Sequence, residues 1–287
     1  MARGLERAGH AADLCPVADG GEGTMEVLLV ALGGETSGAI VSDPLGRPIH
    51  AGFALVEDGG TAIVEVAQAS GLARGEGRAE EASSRGTGEL IAAAITAGAE
   101  VVLVAAGGSA TTDGGSGAIA AIEEAGGLRG ARLVVLCDVR TPFEEAAARF
   151  APQKGADAEG VQRLEARLHG LAERWPRDPR GVPLTGAAGG LGGGLWAHYD
   201  AGLEAGAAFV LDVLGFDDRA QGMVVTGEGR LDATTLEGKA VAEIARRARG
   251  PVHAIVGQDD LGPEPLGLAS VRTASTLDEI ERAASCL

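Results

Sequence analysis

Residues 101–126, VVLVAAGGSATTDGGSGAIAAIEEAG, constrain the fold more than any other stretch of the chain. The apolar run 101–106 has no polar face, which predicts a strand buried on both sides, and residues 118–126 predict a helix ended by glycine. A strand, a glycine-rich loop and a helix in this order bring free backbone N–H groups and an open helix N-terminus to one point. Because such a point attracts anions, the stretch predicts a phosphate-binding site at the end of a buried strand.

The loop within this stretch combines glycines, hydroxyl side chains and one acid. Its glycines let the backbone bend and let a ligand approach closely, and its hydroxyls add donors. Asp113 suits a pocket that also holds a divalent cation or a substrate hydroxyl. The alternative is a tight turn whose glycines and acid only fit the backbone. The candidate ligand-binding residues of the loop are Gly107, Gly108, Ser109, Thr111, Gly114 and Gly115.

Charge narrows the class of ligand. The net charge of −17 argues against nucleic acid as a partner, because a polyphosphate would be repelled over most of the surface. Only two of the 24 basic residues are lysines, Lys154 and Lys239, and the others are arginines. We interpret these two lysines as positions where a compact, mobile ammonium group matters.

The chain has no sequence feature of a membrane or secreted protein. No apolar run approaches the roughly 20 residues that span a bilayer, and the start lacks the apolar core of a signal peptide. The cysteines Cys15, Cys137 and Cys286 have no metal-ligand spacing, and we interpret them as reduced. A cytoplasmic protein of about two domains is expected, and a homodimer stays open.

Several further segments bear on the site. We predict a strand at 14–19 that leads through an acidic glycine loop into a helix at 24–32, which puts Asp19 at the ligand edge of a parallel sheet. Asp19 is also a candidate helix cap. Residues 36–68 predict three antiparallel strands, which indicates a domain boundary near residue 35. The predicted strand 131–139 has an acid, Asp138, near its end.

The second half of the chain contains one clear amphipathic helix at 157–175. The segment 185–195, nearly all glycine and alanine, is either a flexible hinge or a close backbone approach to a ligand. After a further predicted strand, Arg230 and Asp232 share one loop and Lys239 follows. An arginine and a lysine there could hold carboxylate and phosphate; the alternative is that Arg230 and Asp232 only pair with each other.

Seven motifs in register resemble the type I bacterial glycerate kinases over residues 2–260: PVADGGEGT, DPLGRP, GTGELI, GGSATTDGG, FAPQKGA, GAAGGLGGGL and TGEGRLDATTLEGKA. The resemblance implies Mg²⁺-dependent phosphorylation of D-glycerate by ATP, usually giving 2-phosphoglycerate. It also implies two unlike α/β domains. A flavodoxin-like parallel-sheet domain, here 1–35 and 216–287, would be split by an inserted mixed-sheet domain, here 36–215.

The family's motif residues map to Asp19, Ser109, Asp113, Lys154, Arg230, Asp232 and Lys239. We expect the loop 107–115 to cradle phosphate, Lys154 or Lys239 to neutralise the transferred group, and Arg230 to bind the glycerate carboxylate. One of the three aspartates would act as base or hold Mg²⁺, with Asp113 and Asp232 as the metal candidates.

The sequence departs from the family pattern in three places. The family normally opens with a strand and an Asp-Ser-Phe-Lys-Gly loop ahead of the helix that ends near residue 9, and we expect the native chain to begin further upstream. Thr112 replaces a usual Asn, and Arg140-Thr141 replaces a usual Thr-Asn. Because of the missing opening loop, an inactive relative is one alternative. A dinucleotide-dependent oxidoreductase is a less favoured one: βα units with glycine loops also bind NAD, but no clean G-x-G-x-x-G is present.

Overall fold

Contacts divide the chain into two units, and the computed structural model describes residues 1–287. The first unit joins Met1–Val17 to Val210–Leu287, and the second is Ala18–Phe209. The strands are β1 Glu35–Ser42, β2 Pro48–Val56, β3 Thr61–Glu65, β4 Val101–Ala105, β5 Arg132–Cys137, β6 Gly202–Ala205, β7 Val224–Thr226, β8 Arg230–Leu231, β9 Val252–Val256, β10 Gln258–Asp259 and β11 Ser270–Thr273. The helices are α1 Ala2–Arg7, α2 Thr24–Leu32, α3 Val66–Ser70, α4 Arg85–Thr96, α5 Ser116–Glu124, α6 Ala146–Phe150, α7 Ala158–Ala172, α8 Ala187–Tyr199, α9 Gly206–Val213, α10 Phe216–Arg219, α11 Ala240–Arg247 and α12 Leu277–Ala284.

A six-stranded mixed sheet in the order β1 to β6 forms the framework of the second unit. Strands β1, β2 and β3 are antiparallel neighbours, as the sequence predicts, and β3 to β6 run parallel. The parallel strands therefore end at one edge of the sheet. The loops that follow β4 and β5 begin at that edge, which is where open α/β sheets bind ligands.

The core of this unit lies between the sheet and α4, α5 and α8. Phe53, Leu90 and Ile91 are completely buried there. Each such side chain stabilises the folded state by about 1.5–3 kcal/mol relative to an exposed position. The amphipathic helix predicted at 157–175 is α7, whose Leu164 and Leu168 are buried in a separate smaller cluster.

The first unit holds a three-stranded parallel sheet in the order β11-β9-β7 and a short parallel pair, β10-β8. Strand β7 has β9 as its only strand neighbour. Beside it is a groove of about 580 Å³, lined by Leu5 of α1, by most residues of the segment 10–17 and by residues 222–227 among others. A strand edge without a partner leaves its backbone N–H and C=O groups to water. The additional inner strand that the family resemblance implies stays a prediction.

The α/β class with two units is confirmed, and three local expectations are not met. Residues 14–19 form no strand, so Cys15 lies in an irregular segment. The segment 185–195 is no flexible hinge, because most of it belongs to the buried helix α8. Residues 18–35 pack with the second unit rather than the first, since α2 contacts β2 and β3.

No helix in the structure combines the length and the hydrophobicity that crossing a membrane requires.

The packing of α4 on α5 depends on one glycine. A β-carbon at Gly88 would lie 2.3 Å from the carbonyl oxygen and 2.6 Å from the Cα of Ala118. These are backbone atoms, so the helices themselves would have to separate. We expect Gly88→Ala to lower the free energy of unfolding by about 1–3 kcal/mol, measured by urea denaturation.

Gly170 is the matched control for this prediction. It lies inside α7, and a β-carbon there would meet nothing within 4 Å. Gly170→Ala should raise the free energy of unfolding by about 0.4–1 kcal/mol, because alanine restricts the unfolded chain. Equal effects at the two positions would contradict the packing argument.

Candidate functional site

The Asp113 carboxylate organises the loop between β4 and α5. Its Oδ2 accepts hydrogen bonds from Ser84 N (2.8 Å), Ser84 Oγ (2.8 Å) and Gly117 N (3.2 Å). Its Oδ1 accepts one from Gly115 N (3.1 Å). Only 6% of this residue is exposed. Asp113 therefore ties the start of α5 to the residue that precedes α4.

These bonds occupy the backbone N–H groups at the N-terminal end of α5, which the sequence predicts to be free. Ser116 N donates to the carbonyl oxygen of Asp113 (3.1 Å), and Ala118 N donates to Ser84 Oγ (3.0 Å). All backbone N–H groups from Gly115 to Ala118 that begin α5 are thus bonded inside the chain, and a carboxylate already supplies the negative charge that a helix N-terminus attracts. The prediction that the start of α5 offers free N–H groups to an anion is wrong.

The same bonds bear on Asp113 as a metal ligand. Mg²⁺ requires near-octahedral oxygen ligands and usually keeps several waters. A carboxylate that is buried and holds four donors of its own chain does not fit that requirement. In the structure no three His, Cys, Asp or Glu side chains come together in a metal-binding cluster.

A pocket of about 90 Å³ lies beside this loop. It has room for a molecule of a few heavy atoms, since one water occupies about 30 Å³ in the liquid. Its polar lining comes from the loop after β4, the residue after β5, and the short 3₁₀ turn Pro152–Lys154. The polar and glycine residues that line it are Gly108, Ser109, Asp138, Gln153, Lys154 and Gly189.

Lys154 is the basic group of the pocket, and only 4% of it is exposed. Its Nζ donates to Ser109 Oγ (3.1 Å) and to the carbonyl oxygen of Thr111 (2.5 Å). Burial lowers its pKa to about 8, although the negative charges of Asp113 and Asp138 act in the opposite direction. An ammonium group has three donors, so one N–H remains for a ligand in the pocket.

A close backbone approach holds the Thr111 carbonyl in place. Residues Ala188 to Gly190 adopt the left-handed conformation at the start of α8. A β-carbon at Gly189 would lie 1.9 Å from the Thr111 carbonyl oxygen, so only glycine fits. The close approach predicted for the 185–195 segment therefore exists, and it is made to the loop that holds Lys154.

The six loop residues predicted to bind a ligand separate into groups. Gly108 and Ser109 line the pocket, whereas Gly114 packs against α7 side chains and Gly115 packs against Leu191 of α8. The Thr111 hydroxyl is buried without a hydrogen-bond partner.

Gly107 joins the loop to the turn that contains Asp19. Its N–H donates to the carbonyl oxygen of Gly20 (3.1 Å). A β-carbon at Gly107 would lie 2.5 Å from the Cα of Gly21. Asp19 therefore lies in a turn that contacts the start of the loop, although it does not line the pocket.

The remaining predicted residues lie in the first unit. Arg230 Nε donates to Asp260 Oδ2 (2.7 Å) and is 3.5 Å from Asp232 Oδ2, so its closer partner is an acid that the sequence analysis missed. Asp232 Oδ1 accepts from the backbone N–H and the hydroxyl of Thr234, and these bonds lower the pKa of Asp232. Lys239 is the N-cap residue of α11.

Asp260 follows β10, which pairs with the strand that carries Arg230. Because this two-residue pairing joins distant segments, no local pattern marks it in the sequence. Asp138 had a visible signal, since it follows an apolar strand directly.

Comparison with known proteins gives one consistent family. The family model described as "Glycerate kinase family" matches residues 1–125 and 123–285. The glycerate kinase of Bacillus subtilis is 37% identical over 288 residues, which cover 84% of this chain and 75% of the relative. The glycerate 2-kinase of Escherichia coli is 35% identical over 292 residues, covering 86% and 77%. The crystal structure of a glycerate kinase 2 from Salmonella typhimurium superposes with a TM-score of 0.74 and 32% identity, covering 99% of this chain and 91% of that chain.

The four bonds of Asp113 predict a structural penalty for its amide. Asp113→Asn keeps the shape but turns one oxygen into a donor, which faces N–H groups that need an acceptor. We expect the free energy of unfolding to fall by about 1–3 kcal/mol in urea denaturation. Asp157→Asn is the matched control, because Asp157 caps α7 through one bond to Gly160 N and Asn caps helices equally well. A loss at Asp157 as large as that at Asp113 would count against this account.

The buried ammonium predicts a pH-dependent stability. Below pH 8 Lys154 is protonated in the folded and the unfolded chain, and the cost of burying its charge is fully present. Between a folded pKa of about 8 and the ordinary value of 10.5 the unfolded chain binds more protons, so stability rises with pH. Relative to Lys154→Met, the wild type should gain about 3 kcal/mol over this range.

The measurement is urea denaturation of both proteins at a series of pH values. Arg167→Met, on the exposed face of α7, is the control, since arginine does not titrate in this range. A wild-type-to-variant difference that is flat from pH 7 to pH 11 would refute the buried charge.

Proposed function

Because this chain belongs to the glycerate kinase family, we propose that it transfers the terminal phosphoryl group of ATP to D-glycerate. The product we propose is 2-phosphoglycerate. The observation that supports this reaction best is the pocket beside the loop after β4, where a buried ammonium group with one N–H to spare faces a space suited to a small molecule. The proposed setting is the cytoplasm.

Lys154 would act by charge and position. Phosphoryl transfer needs orientation and charge neutralisation more than covalent chemistry. With a pKa of about 8, the Lys154 side chain carries its proton at pH 7. Because only 4% of Lys154 is exposed, its attraction for an anionic oxygen is stronger than it would be on the surface. Ser109 Oγ and the Thr111 carbonyl fix the direction of the remaining N–H.

Roles are also proposed for Arg230, Asp232 and Lys239, which lie in the first unit. Arg230 has the two-pronged geometry that suits the glycerate carboxylate, and Lys239 is a point charge for phosphate. Asp232 is the better Mg²⁺ candidate of the two aspartates, because its side chain is partly exposed and lacks the four donors that Asp113 holds. When bound, Mg²⁺ would neutralise phosphate oxygens. Asp19 stays a candidate for orienting the substrate.

The test is incubation of the purified protein with ATP, Mg²⁺ and D-glycerate. We expect ADP that forms only when glycerate is present, and phosphorus NMR should place the new phosphate on carbon 2. A folded protein that forms no ADP would favour the inactive relative. Stabilisation by NAD but not by ATP in a thermal-shift test would favour the oxidoreductase.

A substitution at Lys154 tests the source of catalysis within the pocket. Lys154→Met removes the charge that would meet the transferred group, and we expect kcat/KM for D-glycerate to fall by about 10²–10³-fold. Arg167→Met, which also removes one positive charge but on an exposed helix face, should leave kcat/KM unchanged. An effect of the same size in both variants would mean that net charge, rather than the pocket, matters.

A further inference from the structure

Asp138 has no role in the function proposed above. It follows β5 directly, at the sheet edge where β3 to β6 end. It lines the same pocket as Lys154 and Ser109. No other carboxylate lines this pocket. A carboxylate that can accept a proton and an ammonium group that can hold an anion thus line the same small pocket.

The backbone around Asp138 is fitted to its side chain. A β-carbon at Gly107 would lie 3.1 Å from Asp138 Oδ2, which is closer than nearly all real contacts of that kind. The same atom would lie 2.5 Å from the Cα of Gly21. Glycine at 107 therefore leaves room for the carboxylate where the loop turns away from β4.

The other acids of this unit that lie near the loop, Asp19, Glu22, Glu65 and Asp113, do not line the pocket. Asp113 holds four donors at the start of α5. Glu65 is buried, and its Oε1 accepts from Met25 N (2.9 Å) at the start of α2. Asp19 lies outside the pocket lining.

We propose that Asp138 is the catalytic base of this enzyme: its carboxylate takes the proton from the substrate hydroxyl as that oxygen attacks the terminal phosphorus of ATP. The assignment rests on the proposed function. The new bond joins the hydroxyl oxygen to phosphorus, the bond from that phosphorus to the bridging oxygen breaks, and its electron pair leaves with ADP. The proton passes to Asp138 and then to solvent. Lys154, in the same pocket, holds the anionic oxygens of the transferred group.

The experiment compares Asp138→Asn with the wild type in steady-state kinetics. Asn keeps the size of the side chain and removes the base. We expect kcat to fall by about 10²–10⁴-fold, while KM for D-glycerate and for ATP stays near the wild-type values. Asp138→Glu keeps a carboxylate and should recover part of kcat. The melting temperature of each variant is measured beside kcat, so that a loss of fold is separated from a loss of the base.

Asp157→Asn, a surface helix cap, serves as the control and should retain full kcat. Three outcomes would overturn the assignment while leaving the proposed function intact: near-normal kcat in Asp138→Asn, a defect confined to KM, or an equally low kcat in Asp138→Glu that comes with a lower melting temperature. A wild-type protein that forms no glycerate-dependent ADP would overturn the proposed function and this assignment together.

Discussion

The hydrogen bonds of the Asp113 carboxylate support the rest of the site. They connect Ser84, just before α4, to Gly115 and Gly117 at the start of α5, and so tie together the N-terminal ends of two helices that pack through Gly88. The loop between β4 and α5 is then held at its far end by a buried charge. Its near end holds Ser109 and the Thr111 carbonyl, which bind Lys154. Removing the carboxylate would therefore loosen the support of the ammonium group.

Burying Lys154 is costly, and the structure offsets the cost only in part. An isolated ammonium group in a protein interior is unfavourable by several kcal/mol unless it is paired and hydrogen-bonded. Two hydrogen bonds and the charges of Asp113 and Asp138 reduce that cost, yet the pKa stays below its ordinary value. An anionic ligand would supply the missing compensation. Binding an anion would therefore recover the part of the burial cost that the folded chain does not offset. A functional site in a protein of net negative charge can attract an anion in this way.

The sequence predicted regular elements well where the pattern is local. The apolar stripe of α7 and the buried run of β4 depend on spacing within one segment, and both were confirmed. The bonding of Asp113 could not be predicted, because its partner Ser84 lies 29 positions away in the chain. Residues 14–19 have strand composition but no strand partner, and pairing is what makes a strand. For the site, the sequence left open whether Lys154 or Lys239 acts with the glycine loop; Lys154 contacts that loop, and the roles of both lysines stay predictions. The prediction of an open helix end was wrong.

Lys154 donates one of its two hydrogen bonds to a main-chain carbonyl oxygen, and Gly189 allows α8 to approach that carbonyl closely. The position of the ammonium group therefore depends on the absence of a side chain at Gly189 and on the backbone oxygen of Thr111. Neither feature is a reactive group that would mark the site in the sequence. Ranking residues by the reactivity of their side chains would pass over both. An engineer who wished to transplant this pocket would have to copy the path of the peptide at these two positions before choosing any functional group.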